Sequence, residues 1–200
     1  NGGTLSGFLM PVWVPGKEGC GEHEDRGSRF LAWVFFAEEE GVFTSRLEQV
    51  KVEHPKARHW CWAWKIQDAY RFEDDGEPGG TAGRPMLQVL EGRSLSAVGA
   101  ICVRYFGGVK LGTGGLMRAY GGATAKAADD AGVRVIIPRL RISVFLSFAR
   151  TAVREEVQVK YPTAVFEGEF QEAGWSGTIE VDESDAPAIR ELFWEPLRGP

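Results

Sequence analysis

The segment VGAICVRYFGGVKLGTGGLMRAYGGATAK, residues 98–126, opens as an apolar run, crosses a glycine-dense turn and closes on a small-residue helical pattern. Residues 95–106 are apolar in nearly unbroken succession, which predicts a central strand covered on both faces. Gly107, Gly108, Gly112, Gly114 and Gly115 crowd the turn, with Lys110 inside it and Arg104 and Arg118 on its flanks. Thr113 is the expected N-cap of a helix running to Asp130. Such a strand, turn and helix N-terminus suit an anion, because free N–H groups and the helix dipole face the turn. The standard phosphate motifs do not fit. Gly107 to Gly112 has P-loop spacing, but the lysine lies inside the loop, and a dinucleotide pattern meets Met117 at its third glycine. Two readings stand: an anion site built from Arg104, Gly107, Gly108, Lys110, Gly112, Thr113, Gly114, Gly115 and Arg118, or glycines that only let strand and helix pack closely. Within the helix, Gly121 and Gly122 beside Ala119, Ala123, Ala125 and Ala127 predict a close backbone approach.

Upstream, HWCWAWKI at residues 59–66 alternates as a strand. Trp60, Trp62, Trp64 and Ile66 take one face; His59, Cys61, Ala63 and Lys65 take the other. The tryptophans read either as core or as a partly exposed stacking and interaction face with His59. Residues 67–83 form a long polar loop carrying Asp74, Asp75 and Glu77, then Thr81 and Gly83. Loops of that length are usually functional or disordered. Its carboxylates can be oxygen ligands for a divalent cation, partners for the cations of the glycine turn, or a solvated acidic turn. A short helix over 84–92 follows. Before residue 59, a possible edge strand at 12–14, a flexible polar loop at 16–27, a bulky strand at 29–37 and a helix over 38–53 ending before Pro55 are predicted.

Downstream, residues 133–138 end the first unit, and the boundary falls near Ile137 and Pro138, dividing the chain into 1–137 and 138–200. The second part reads as strand 140–148, helix 151–159, strands 164–170 and 175–181, helix 186–193 and the start of a last strand at 195–197. That order is βαββα(β), the ferredoxin-like plan. The fold class is α+β with two domains.

Composition narrows the function classes. At 44% hydrophobic and 26% charged residues, the chain reads as an ordinary globular protein. No apolar run approaches the roughly 20 residues that cross a bilayer. The first residues lack a basic start and an apolar core, so no secretory signal is expected and the predicted compartment is the cytoplasm. A formal charge of −5 argues against bulk electrostatic binding of nucleic acid, so any such contact needs a local patch. Residues 138–200 hold 7 basic and 11 acidic residues, net −4; the remainder is near neutral. Arg104, Lys110 and Arg118 are the best candidate patch. Cys20, Cys61 and Cys102 are too few for a disulfide framework and fit a reducing compartment. Cys20 and His23 have no second pair to complete a zinc site. A Cys61–His59 dyad has poor spacing for attack, and no hydrolase or metalloprotease motif is present. No catalytic residue is assigned, and no cofactor is expected.

SRF at 28–30, EHPKARHWCWAW at 53–64, FEDDGEPGGTAGRPML at 72–87 and VRYFGGVKLGTGGLMRAYGGA at 103–123 resemble the Impact/YigZ family, and the match spans most of residues 28–130. The tail is similar to the small second domain of bacterial members. The resemblance implies a first domain shaped like the second domain of ribosomal protein S-five, as in domain four of elongation factor G. It implies a second domain like domain five of that factor. Eukaryotic relatives regulate translation initiation. The expected function is a non-enzymatic, translation-associated regulator that contacts RNA or a ribosome-linked partner through the glycine-rich turn. One alternative is an enzyme that holds a phosphate or nucleotide on that turn and Mg²⁺ on the acidic loop. Another is a protein-interaction module that uses the tryptophan face.

Overall fold

A computed structural model describes residues 11–193. They divide into two compact units, Val12–Ile136 and a second beginning at Ile137. The fold is mixed α/β. The strand expected at 195–197 lies outside the described residues. No helix among the described residues is long and apolar enough to cross a membrane.

The first unit contains β1 (Val12–Pro15), β2 (Gly19–Asp25), β3 (Ser28–Phe36), α1 (Glu40–Glu53), β4 (His59–Ile66), β5 (Ala69–Glu73), α2 (Gly83–Gly92), β6 (Val98–Tyr105), α3 (Gly112–Ala131) and β7 (Val133–Ile136). Five strands form one antiparallel sheet in the order β2-β3-β6-β4-β5, and β1 pairs with β7 in a separate ribbon. β6 lies at the centre, and its residues are buried on both faces up to Tyr105. That is why its sequence does not alternate.

The two faces of the sheet hold two cores. On one, Phe30, Ala32, Cys61, Ala63, Ala100 and Cys102 meet Met86, Leu87 and Leu90 of α2 and Leu116, Ala119, Tyr120 and Ala123 of α3. On the other, Phe35, Trp64, Ile66, Ile101 and Val103 meet Phe43, Leu47 and Val50 of α1, the i, i+4, i+7 stripe. Trp60 and Trp62 pack against this second core while staying half-buried. The three tryptophans therefore lie on the α1 side of the sheet, with Trp64 fully in the core, while His59 stands on the opposite face.

Two strands occupy segments that read as loop. β2 lies in the polar stretch 16–27 because its glycines serve a contact. A Cβ on Gly21 would lie 2.3 Å from the carbonyl oxygen of Ala123, and one on Gly19 2.2 Å from that of Ala127. The close backbone approach is thus between β2 and the alanine stripe of α3. Gly121 has only the Pro85 Cβ nearby, at an ordinary 3.8 Å. β5 lies within the stretch 67–83 and is an exposed edge strand, so its side chains carry little apolar signal.

The second unit runs β8 (Arg139–Ser147), α4 (Ala152–Lys160), β9 (Val165–Gln171), β10 (Gly174–Asp182) and α5 (Ala186–Phe193). Its antiparallel sheet has the order β8-β10-β9. Val157 of α4 and Ala186 and Ile189 of α5 close one core over Ile179 and Val181. The strand and helix order is the expected β-α-β-β-α.

Candidate functional site

The loop between β5 and α2 is fastened by its own acids. The Asp74 carboxylate accepts from the backbone N–H of Gly80 (2.7 Å), Ala82 (2.9 Å) and Gly83 (2.9 Å), satisfying donors at the start of α2. The Asp75 carboxylate accepts from the N–H of Trp60 at 2.7 Å, and its carbonyl meets Nδ1 of His59 at 2.7 Å. Thr81 is buried and donates its hydroxyl to the Pro78 carbonyl. Gly83 is required because a Cβ there would lie 2.8 Å from the Glu73 nitrogen. The loop for which a cation site was one of three readings thus turns its carboxylates to different tasks. Among the described residues no three His, Cys, Asp or Glu converge as a metal-binding group.

Glu77 reaches inward. Its side chain is almost wholly buried and its Oε1 accepts from Nη1 of Arg104 at 2.7 Å and from the Tyr120 hydroxyl at 2.8 Å. Nε2 of His59 lies 3.8 Å from the same oxygen. Arg104 also approaches the Ser28 hydroxyl, which in turn accepts from the Gly107 N–H at 3.1 Å. A buried carboxylate needs such partners, because an isolated charge in a low-dielectric interior is strongly disfavoured. The network joins β3, β4, β6, α3 and both loops.

The glycines of the turn have separate reasons. Gly107 abuts the β2–β3 turn so closely that a Cβ would overlap the Gly27 carbonyl carbon. Gly108 and Gly112 hold φ of +89° and +71°, a region that costs side-chain-bearing residues. The helix begins at Gly112, not after Thr113. Leu111 occupies the N-cap position and offers no capping bond, so Thr113 lies inside the first turn. Gly112, with its positive φ, makes the bend by which the chain enters the helix, and the Thr113 hydroxyl makes no capping bond. First-turn N–H groups have no intrahelical acceptor, and α3 has no acidic residue there.

Both loops border one cleft of about 470 Å³. The acidic loop supplies Glu77 and Pro78 to its lining, the glycine turn and the start of α3 supply Lys110, Gly112 and Thr113, and His59, Arg58, Arg104 and Phe106 complete it. Lys110 is exposed and has no ion-pair partner among the described residues. The Arg58 guanidinium lies 5.4 Å from the centroid of the Phe106 ring, as does that of Arg104. Among the described residues the one carboxylate lining the cleft, Glu77, already receives Arg104 and Tyr120, so cationic groups are in excess and the cleft is chemically matched to an oxyanion.

Other expected residues fall elsewhere. Arg118 is exposed on α3 and does not line the cleft; Gly114 and Gly115 lie in the first turn behind its rim. Asp74 and Asp75 brace the cleft from outside. Trp60, Trp62 and Trp64 lie on the other side of the sheet from His59, so these four do not form one face. Cys61 is fully buried, donates to the Asp74 carbonyl at 3.1 Å, and burial pushes its thiol well up from the ordinary value. That leaves no thiolate for a Cys61–His59 pair. Burial likewise pushes Tyr120 and Cys102 up. Arg58, Phe106, Ser28 and Tyr120 were not expected at the site. The available signal was adjacency: Arg58 precedes β4, Phe106 follows β6, and Ser28 opens β3 in the SRF motif.

Residues 26–128 match the family model described as the Impact N-terminal domain. An "IMPACT family member" of Haemophilus influenzae is 36% identical over 165 residues, 79% of each chain. "IMPACT family member YigZ" of Escherichia coli is 46% identical over 126 residues, which cover 59% of this chain and 61% of that protein. A solved structure described as that of a hypothetical protein superposes with a TM-score of 0.66 at 28% identity, over 91% of this chain and 90% of the other. The cleft is formed within the matched segment, from motifs that include EPGGTAGRP and RYFGGVKLGTGG, and the chain belongs to the IMPACT family.

Proposed function

We propose that this protein is a non-enzymatic, translation-associated binding protein whose cleft receives a phosphate of RNA in the translation machinery. One observation carries the reading: Arg58, Arg104, Lys110 and the uncapped start of α3 converge on one cleft whose one carboxylate among the described residues, Glu77, is already engaged. A phosphodiester brings the complementary charge, and helix amides and guanidinium groups are its usual donors. The association with translation follows from likeness. The first unit is read as a relative of the second domain of ribosomal protein S-five, and the second as a ferredoxin-like relative of domain five of elongation factor G. Binding without chemistry fits a site whose buried thiol and phenol are held protonated and whose acids are engaged in structure. On this reading the protein acts in the cytoplasm.

The test is co-sedimentation with ribosomes and equilibrium binding of RNA across a salt series. Lys110→Glu and Arg58→Glu should weaken binding most at low salt, and Lys110→Ala should reduce the salt slope by about one counterion. Arg118→Glu, outside the cleft, should have a smaller effect. Binding that is unchanged by Lys110→Glu and Arg58→Glu would remove the reading.

A further inference from the structure

We infer that the cleft takes one unpaired nucleotide of a single strand, its phosphate on Lys110 and the start of α3 and its base against Phe106; this rests on the phosphate reading above. Three observations point there. The first is concavity. A cleft of about 470 Å³ falls within the 300–1,000 Å³ of small-ligand sites, whereas a regular RNA helix presents its phosphates on an outer ridge with the bases stacked inside. The second is Phe106. It ends β6, lines the cleft and remains 41% exposed although two guanidiniums lie near its ring. An aromatic ring at the edge of a cationic site is the usual support for an unstacked base, and a guanidinium plane extends it. Arg58 is exposed and has no carboxylate partner among the described residues, so it is available to shift onto a base or phosphate.

The third observation is Arg104. It is 5% exposed, lines the cleft, and its buried Nε has no hydrogen-bond partner, although its other two nitrogens reach Glu77 and Ser28. Buried polar groups are nearly always satisfied. This one belongs to a guanidinium that lines the cleft and lies 5.4 Å from the Phe106 ring centroid, so its fixed charge stands beside the place proposed for the base.

The experiment uses the full chain and three probes: a labelled single-stranded RNA of about ten nucleotides, the same sequence as a duplex, and inorganic phosphate as competitor. The single strand should bind at least about tenfold more tightly than the duplex, the scale of one stacked base. Phe106→Leu keeps apolar bulk and loses the π face; it should weaken the single strand about tenfold and leave the duplex unchanged. Phe106→Tyr should stay within about twofold of the parent, since it keeps the ring. Equal affinity for the two RNA forms, or a Phe106→Leu protein that binds like the parent while Lys110→Glu still weakens binding, overturns the nucleotide inference and leaves the phosphate reading standing. A parent chain that binds neither RNA form overturns both, and ribosome co-sedimentation that persists in that case assigns the contact to a protein.

Discussion

Glu77 illustrates how much one side chain can decide. Its Oε1 is shared by Arg104 and Tyr120 below the cleft floor, with His59 close by. Removing one partner of a buried ion pair leaves the other uncompensated, so Glu77→Ala should cost about 3–5 kcal/mol in urea unfolding. Glu77→Leu combined with Arg104→Met should cost less than the sum of the single changes, because no lone charge remains. The two buried thiols add a pH dependence whose sign follows from burial. Cys61 and Cys102 keep their protons in the folded chain well above the ordinary value of 9.0, whereas the unfolded chain loses them near it. Below 9.0 both states are protonated and the contribution is fully present. Above it the unfolded state binds fewer protons, so stability should fall by up to about 1.4 kcal/mol per pH unit and thiol. Urea midpoints between pH 8 and 10.5 should drop accordingly, and Cys102→Ala should flatten the drop even though its cavity lowers stability at every pH.

Among the elements, the contact between β2 and α3 separates glycines that are needed from one that is not. Gly21 lies against the α3 backbone at the Ala123 carbonyl, so Gly21→Ala forces strand and helix apart and should cost about 1–3 kcal/mol. Gly121 sits within α3 with ordinary space around it, so Gly121→Ala should stabilise by about 0.5–1 kcal/mol. Thermal unfolding of the two variants side by side gives opposite shifts. The same contact shows what was legible in the sequence. β6, β4 and α1 declare themselves through apolar runs and spacing, because packing on the sheet dictates those residues. β2 does not, because what it packs against is helix backbone, and a strand that meets backbone needs glycine rather than an apolar side chain. β5 is hidden by its exposure. At the site, the glycine turn and Glu77 were visible as motifs. Phe106 and Arg58 were not singled out, since a lone aromatic at a strand end acquires meaning only from the cations folded beside it. For the tryptophans, strict alternation puts them on one face and His59 on the other, and of the two readings offered the packed one fits: Trp64 is in the core under α1, with Trp60 and Trp62 against it.

For the whole molecule the proposed RNA contact has to be reconciled with an acidic chain. The segment from Val12 to Ile136 is near neutral, and the four excess negative charges of the chain's remainder fall within 138–200. The cleft is a local excess of positive charge on a molecule of net −5. Such an arrangement favours a short, seated contact over a long electrostatic track. On the proposed reading few phosphates would be neutralised, so the slope of log affinity against log salt should be shallow, about −1 to −3 for the parent chain. Each unit has a hydrophobic core of its own, so residues 12–136 should fold alone and keep the cleft. Relieved of the acidic remainder, that fragment should bind RNA a few-fold more tightly than the full chain at low salt. The advantage should vanish near 0.5 M salt, where screening acts within a few ångströms. If the second unit instead contributes contacts of its own, the fragment will bind more weakly than the full chain at every salt concentration. The sign of the difference at low salt therefore tells whether the acidic unit opposes the cleft electrostatically or takes part in binding.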